Sequence, residues 1–362
     1  GLGTLKARDT DPIKGTFPCP ISVSIDKDTL DQAPVFYGRV VRGVKNGPSP
    51  AWLQDCLKAI GLRPISKLVD ITNFFTYDRN RPLHVFDADK VAGNTLRVHR
   101  AAGGETFKAL DEKEYTLVEG MTAISDANGV ESLAGIMGGE HSGCTYETTN
   151  VFIEAAFFDP VRTAYTGRAL KIHSDARYRF ERGIDPMWTP TGLDHATQMI
   201  LDLCGGEASE VVIAGSIPDH SRAYRLDTDR VQSLVGMEIP AEEQGKTLTA
   251  LGFELDGDMA HVPSWRPDVL GEADLVEEVA RVASLTKLQG KPLPRSTTGV
   301  PKAILTPMQK REHIARRTMA ALGYNECVTY SFIDRKSAEL FGGGDDATML
   351  ENPISSDMSH MR

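Results

Sequence analysis

Cysteine is scarce and scattered. Five occur in 362 residues (Cys19, Cys56, Cys144, Cys204, Cys327) with no CxxC pair, which argues against a disulfide framework or a thiolate zinc site and points to a reducing cytoplasm. Long apolar runs are missing as well. None approaches the ~20 residues of a membrane span, and the first twenty residues lack the basic-then-apolar order of a signal peptide, so no membrane association is expected. Positive charge is in deficit: 40 Lys and Arg stand against 50 Asp and Glu, a net charge of -10. Such a molecule gains nothing from generic phosphate attraction, which speaks against DNA binding and leaves only local contacts with nucleic acid. Internal repeats and low-complexity tracts are lacking.

What is there is ordinary globular material, 41% hydrophobic and 25% charged, enough for two to three domains of roughly 150 residues. The chain opens at Gly1 without a Met and stops at Met361-Arg362, soon after Asn352-Pro353-Ile354-Ser355-Ser356 and before another helix or strand is completed. It reads as a piece of a longer polypeptide.

Alternation at Ile21, Val23, Ile25 and again over Phe36–Val41 predicts half-buried strands. Ser49-Pro50 before Ala51-Trp52-Leu53 predicts an N-cap with Pro at the first helical position, closed near Gly61. Short Val/Thr/Leu segments over 95–100, 105–110, 113–118, 121–125 and 130–136 predict antiparallel sheet, with a turn at Asp126-Ala127-Asn128-Gly129. Val151–Phe158 reads as a buried strand, Asp159-Pro160 as a helix start, and His195–Leu203 as a helix ending at Gly205. Residues 214–223 look like a linker. After it, two helices closed by Gly236 and Gly252, with a hairpin at Asp256-Gly257-Asp258, predict a small helix-turn-helix-like unit with a wing. Nucleic-acid docking is one use for it, but a packing or spacer role is favoured because acids are as common there as bases. A Pro- and Lys-rich stretch, 287–302, precedes a third unit with a helix capped by Thr306-Pro307 and a strand over Cys327–Phe332.

Three features could carry chemistry. Gly135-Ile136-Met137-Gly138-Gly139-Glu140-His141-Ser142-Gly143 places four glycines in nine residues after a strand, either as a cradle or, more simply, as a turn; the spacing fits neither a Walker loop nor a dinucleotide fingerprint. Glu154 stands alone in the apolar octet, so it must be paired, protonated or facing a polar cavity; an internal ion pair with Arg63 or Arg177 is the plainer alternative to a pocket wall. His84, between apolar neighbours, is as a type more often a hydrogen-bonded core residue than a base. Finally, with a helix opening at Gly271, Asp274, Glu277 and Glu278 fall within one turn and Asp268 can join them. Either a hard cation such as Mg²⁺ lies between them or first-turn acids simply complement the helix dipole.

Taken together these segments resemble the β subunit of bacterial phenylalanine-tRNA synthetase. The carriers are collinear: Leu62-Arg63-Pro64 with Val69-Asp70-Ile71-Thr72-Asn73, Arg81-Pro82-Leu83-His84-Val85-Phe86-Asp87, the glycine segment 135–143, Glu154-Ala155-Ala156-Phe157-Phe158, His173–Gly183, Pro263–Ala280 and Asn352–Ser356. The resemblance implies an α+β, multidomain fold. Its parts would be a remnant of an N-terminal domain and linker over 1–40, a mixed or antiparallel-sheet editing domain over 41–213, the helix-turn-helix-like domain over 222–292, and the start of a class II synthetase-like α/β domain over 303–362. The family's N-terminal oligonucleotide-binding and C-terminal anticodon-binding domains would be missing.

The resemblance further implies an α2β2 heterotetramer in the cytoplasm, acting on tRNA(Phe). The α subunit would use ATP for phenylalanylation, and β would edit Tyr-tRNA(Phe) by hydrolysis. An apolar pocket built for phenylalanine rejects tyrosine only about 10²-fold, whereas a site with a polar partner for the hydroxyl rejects phenylalanine strongly. Glu154 would be that partner. Arg63, Asn73 and His84 would face the ester and tRNA end, Ala134, Gly138 and Gly139 would keep the pocket open, and Ser174 and Ala176 would complete its wall. Asp268, Asp274, Glu277 and Glu278 would hold Mg²⁺ near the α–β boundary. Two departures stand out: the family often carries Gln at the position of Arg81 and Thr at that of Ser174. The competing readings are a scaffold for the α subunit with a vestigial pocket and, more distantly, a Mg²⁺-dependent phosphotransfer enzyme.

Overall fold

The computed structural model describes residues 11–295, 299 and 304–362. The first ten residues of the expected N-terminal remnant, most of the second half of the 287–302 stretch, and residue 303 lie outside them. The chain divides into two units, Gly1–Gln289 and Gly290–Arg362.

The first unit is organised around one antiparallel sheet. Its strands run in the order Glu207–Ala208, Val35–Arg42, Asn150–Phe157, His84–Asp87, and Val212–Gly215 also pairs with Val35–Arg42. Val35–Arg42 is therefore central to this sheet. The boundary expected at residue 40 falls inside it, since the whole strand pairs with segments more than a hundred residues further along the chain. Asn150–Phe157 is covered on both faces, and this is why it reads as a nearly unbroken apolar run. Phe152 and Ala156 join Phe36, Val40 and Phe86 on one face. Val151, Ile153 and Ala155 join Val41 and Val85 on the other.

A second, mixed sheet covers the first face, ordered Ser22–Ile25, Thr95–Arg100, Thr122–Ser125, Val130–Leu133, Met137–Gly138, parallel only in its first pair. The opposite face carries Leu53 and Leu57 of helix Ala51–Ala59, Leu68, Ile71 and Phe75 of Lys67–Asp78, and Leu193, Ala196 and Ile200 of Thr189–Cys204. The predicted helix starts and stops are observed at Asp159-Pro160 and Gly205. Ser49 differs: its hydroxyl donates to Asp70 at 2.6 Å instead of capping the helix that follows. Close approach explains Gly38, since a Cβ there would lie 2.2 Å from the Phe152 ring.

Residues 223–283 build a three-stranded sheet, Ala223–Arg225, Met259–His261 and Glu254–Asp256, against helices Asp229–Val235, Ala241–Ala250 and Glu272–Ala283. Leu248, Phe253, Leu275 and Val279 form its core. The hairpin and both glycine stops of the sequence reading are present, with Gly236 and Gly252 at φ +80° and +93°.

In the second unit, Thr306 caps helix Pro307–Ala321 in a reciprocal box with Gln309, yet that helix buries none of its side chains. The strand expected over Cys327–Phe332 is reduced to Phe332–Ile333, paired with His360–Met361. The preceding residues have no partner strand among the described residues to supply a ladder. Among the described residues no helix is long and apolar enough to cross a membrane, and all five cysteines are free.

One ion pair, between a buried arginine and a half-buried aspartate, ties the helical layer to the central sheet. Arg39 Nη1 lies 3.4 Å from Asp194 on helix Thr189–Cys204, while its Nη2 donates to the Ile13 carbonyl at 2.9 Å. Removing one partner of such a pair strands the other charge. We predict that Asp194→Ala destabilises the first unit by about 3 kcal/mol or more and that Asp194→Asn costs less. Urea unfolding with no shift for the alanine variant would refute the assignment.

Candidate active site

A cavity of about 70 Å³ opens between the edge strand His84–Asp87, the central strand Asn150–Phe157, the turn after Val130–Leu133 and the short helix Asp175–Phe180. This is room for a side chain, not for a nucleotide. Glu154 and His84 are direct cross-strand neighbours, and both line the cavity with Gly138, Met137, Ala176 and Phe180.

Glu154 is 5% exposed. It makes no ion pair among the described residues, and its enclosed Oε2 has no hydrogen-bond partner. The ion-pair alternative falls away: Arg177 is held by Glu181 at 3.0 Å and by the Ile172 carbonyl, and Arg63 is exposed. Burial pushes the Glu154 carboxyl up to about 8, so near neutral pH it is a protonated acid, one of the states the sequence left open. Burial also pushes the His84 imidazole down to about 4, and its Nε2 likewise lacks a partner. Two groups that could have formed an ion pair thus stand side by side uncharged. The cavity is neutral and polar, with unused hydrogen-bonding capacity on both walls.

The glycine segment is a turn, not an anion cradle. Four of its N–H groups are spent within the chain: Ile136 donates to Leu133, Gly139 to Glu131, Glu140 to Lys108 and Gly143 to Glu140. Its glycines nonetheless shape the cavity. Gly135 sits at φ +69°, where a Cβ would meet Phe158 at 2.9 Å. At Gly138 a Cβ would stand 2.2 Å from the His84 ring, so a side chain there would displace the imidazole.

Of the other expected residues, Ala176 lines the cavity. Ser174 acts one step removed: its hydroxyl donates to the Ile136 carbonyl at 2.6 Å and accepts from Arg177 N at 3.1 Å, capping the wall helix. Ala134 is buried in the core beneath the turn, and Gly139 presses on the Glu131 backbone, where a Cβ would approach to 2.7 Å. Asn73 lies on helix Lys67–Asp78 one turn before Tyr77, which bonds Asp175 at 2.6 Å beside the cavity. Neither Asn73 nor Arg63, which lies in the exposed loop before that helix, is among the residues lining the cavity.

Sequence reasoning missed Met137, Phe180 and the role of Arg81. Arg81 is buried and donates to the Ala156 carbonyl at 3.2 Å and to that of Asp185, fixing the segment that enters the His84 strand. Cys144 is no nucleophile, since burial pushes its thiol up to about 12.

The acidic group at 268–278 has a different centre from the one expected. Arg266 grips Asp268 with two bonds, at 2.8 and 2.6 Å, and reaches Glu278 at 3.0 Å; Arg281 adds a bond to Glu278 at 2.6 Å. Asp274 accepts the Leu270 N–H at 2.8 Å, and Glu277 is exposed. The positive charge between Asp268 and Glu278 is thus a guanidinium. The hydrogen bonds to Arg266 hold the Asp268 carboxyl below the usual range. As arranged, Asp268 and Glu278 do not fit Mg²⁺, because the guanidinium groups of Arg266 and Arg281 occupy the oxygens of both and already neutralise them.

Family descriptions match the chain in three places: a B3/4 domain over 32–205, a tRNA synthetase B5 domain over 224–284 and a phenylalanyl tRNA synthetase beta chain CLM domain over 292–362. Over its full length the chain is 72% identical to a phenylalanine–tRNA ligase beta subunit of Ruegeria pomeroyi, of which it covers 45%. It is 66% identical to one of Cereibacter sphaeroides, again covering 45% of that protein. The chain therefore spans about half the length of the curated relatives it matches. A solved N-terminal fragment of the phenylalanyl-tRNA synthetase beta-subunit from Pyrococcus horikoshii aligns at 17% identity and a TM-score of 0.35, over 74% of this chain and 76% of that one; a likeness this weak carries no argument here.

The two shifted groups give opposite pH dependences. Unfolded Glu154 loses its proton near its ordinary 4.5 while the folded state keeps it to about 8, so folded protein binds more protons across that window and stability falls as pH rises. For His84 the unfolded chain gains a proton below 6.5 and the folded state only near 4, so stability falls as pH drops. We predict that Glu154→Gln abolishes the loss of stability between about pH 5 and 8. Parallel melting-temperature profiles for wild type and variant would show that Glu154 ionises freely.

Proposed function

Because the chain belongs to the family of phenylalanine–tRNA ligase β subunits, we propose that its first unit is an editing hydrolase that clears tyrosine from Tyr-tRNA(Phe). The observation that carries this reading is the buried, unpartnered Oε2 of Glu154 facing a cavity of side-chain size. A phenol hydroxyl both donates and accepts, and a neutral carboxyl offers the matching acceptor and donor. Phenylalanine in the same place would leave that carboxyl buried without a partner, a penalty of about 1–3 kcal/mol. Discrimination therefore rests on the group that phenylalanine lacks.

In the reaction a water oxygen bonds to the ester carbonyl carbon and the bond to the ribose oxygen breaks. The tRNA leaves as the alcohol and tyrosine as the acid. His84, uncharged and a weak base at neutral pH, orients the water or the ester through Nε2. Gly138 supports that role by leaving space for the imidazole, and Ser174 does so by fixing the wall through Ile136. No step runs through Mg²⁺, because Arg266 stands between the acids that would bind it.

In the same reading this chain acts in the cytoplasm on tRNA(Phe) with an α subunit, which consumes ATP in phenylalanylation. The exposed Met308, Ile314 and Met319 on helix Pro307–Ala321 are apolar surface suited to a covering partner or a neighbouring domain. The scaffold reading draws on a separate observation: no hydrogen-bonded nucleophile–base pair lines the cavity among the described residues.

Single-turnover deacylation of Tyr-tRNA(Phe) by an α2β2 holoenzyme with full-length β tests the proposal. Glu154→Ala should slow it by about tenfold or more, while Glu154→Gln, a neutral donor and acceptor of similar shape, retains most activity. Gly138→Ala should reduce turnover by displacing His84. Wild-type clearance by the alanine variant at 154 would remove Glu154 from the mechanism, and a wild-type tetramer that never deacylates would establish the scaffold.

A further inference from the structure

Away from the cavity, three metal-type donors meet at the edge of the mixed sheet. Asp126 begins the turn between strands Thr122–Ser125 and Val130–Leu133, Glu131 lies in the second of these strands, and His141 follows Met137–Gly138 in the glycine loop. A donor atom from each lies within 4.8 Å of the other two, and His141 Nδ1 is 3.1 Å from Glu131 Oε1.

The local backbone is built for this meeting. The sheet register slips between Ile124 and Ser125, so Ser132 and Val130 have opposing residues while Glu131 has none; such bulges re-aim side chains. Gly139 donates to the Glu131 carbonyl at 2.7 Å, an approach only a glycine permits, and this brings the loop carrying His141 alongside. Asp126 is held by three backbone donors, Ala92 to Oδ2 at 2.8 Å, and Asn128 and Gly129 to Oδ1 at 2.7 and 3.2 Å.

Charge and solvation are both out of balance there. Glu131 is 4% exposed, and its enclosed Oε2 has no hydrogen-bond partner. No Lys or Arg pairs with either carboxylate among the described residues, and nearby Lys108 is committed to Glu140 at 2.6 Å. An imidazolium at His141 would answer only one of two negative charges and would leave Oε2 as it is. We infer that Asp126, Glu131 and His141 bind a divalent transition-metal cation of the Zn²⁺ class. One imidazole nitrogen and two carboxylate oxygens suit such borderline metals better than Mg²⁺ or Ca²⁺, which favour all-oxygen sets. Ligands of one Zn²⁺ stand about 3.3 Å apart, so rotamer adjustments of roughly 1.5 Å close the site. The metal ties the turn, the strand and the glycine loop together. Ser132 and Gly138, from the same strand and loop, line the cavity, so the cation braces its outer wall.

The test is titration of the full chain, freed of metal by chelator, with Zn²⁺ by calorimetry and with Co²⁺ by visible absorption. The expected result is one equivalent bound, no displacement by Mg²⁺, and a melting temperature raised by a few degrees. In His141→Ala and Glu131→Gln the affinity should fall at least tenfold and the Co²⁺ bands should disappear. His141 has 61% of its side chain exposed, so its variant folds; a circular dichroism melt checks this, and His141→Gln serves as a second variant. Absence of saturable binding, or binding unchanged in the variants because the metal sits on other histidines, overturns the inference.

Discussion

The constraint on which the candidate site depends is the enclosure of a single carboxyl group between two sheets. Asn150–Phe157 is covered on both faces, and the side chains that flank Glu154 toward the mixed sheet, Phe152 and Ala156, are apolar. With no cation in reach among the described residues, the lowest-energy state of that group near neutrality is the protonated one. The same enclosure removes the proton from His84 on the neighbouring strand. Burial alone therefore converts what looks like an acid–base pair into two neutral hydrogen-bonding groups.

That conversion fixes the kind of chemistry the cavity can support. A neutral acid recognises a hydroxyl by donating and accepting, and a neutral imidazole positions without strongly abstracting. Specificity is then concentrated in the wall and catalysis in the placement of water and ester. The surrounding residues serve placement: Arg81 holds the approach to His84 through the Ala156 carbonyl, Ser174 ties the wall helix to Ile136, and Gly138 leaves the imidazole its space.

Two acidic groups in the molecule illustrate how differently similar compositions resolve. At 268–278 the sequence shows four carboxylates close together, and Arg266, itself within the motif, neutralises two of them. At 126–141 the sequence shows nothing dense, yet a bulge and a glycine loop bring two carboxylates and an imidazole together with no cationic side chain between them. Local density of charge is a poor guide to ligation, because what matters is which counter-charge the fold delivers.

The sequence by itself determined the local elements and the oddity of Glu154. Caps at Asp159-Pro160 and Thr306-Pro307, stops at Gly205, Gly236 and Gly252, and the apolar octet were all legible, since propensity, capping and periodicity act over a few residues. The family strings placed Glu154, His84, Gly138 and Ala176 in one site together with Arg63, Asn73, Ala134, Gly139 and Ser174, and only the first four line the cavity. Only the tertiary structure decided that Val35–Arg42 belongs to the middle of the sheet, that Glu154 has no ion-pair partner among the described residues, that Arg63 is not among the residues lining the cavity, and that Arg266 fills the acidic group. Each of those outcomes depends on side chains brought together from distant positions or on the direction in which they point, and on the dielectric that their packing creates. Neither the partner nor the dielectric is encoded within any single stretch of chain.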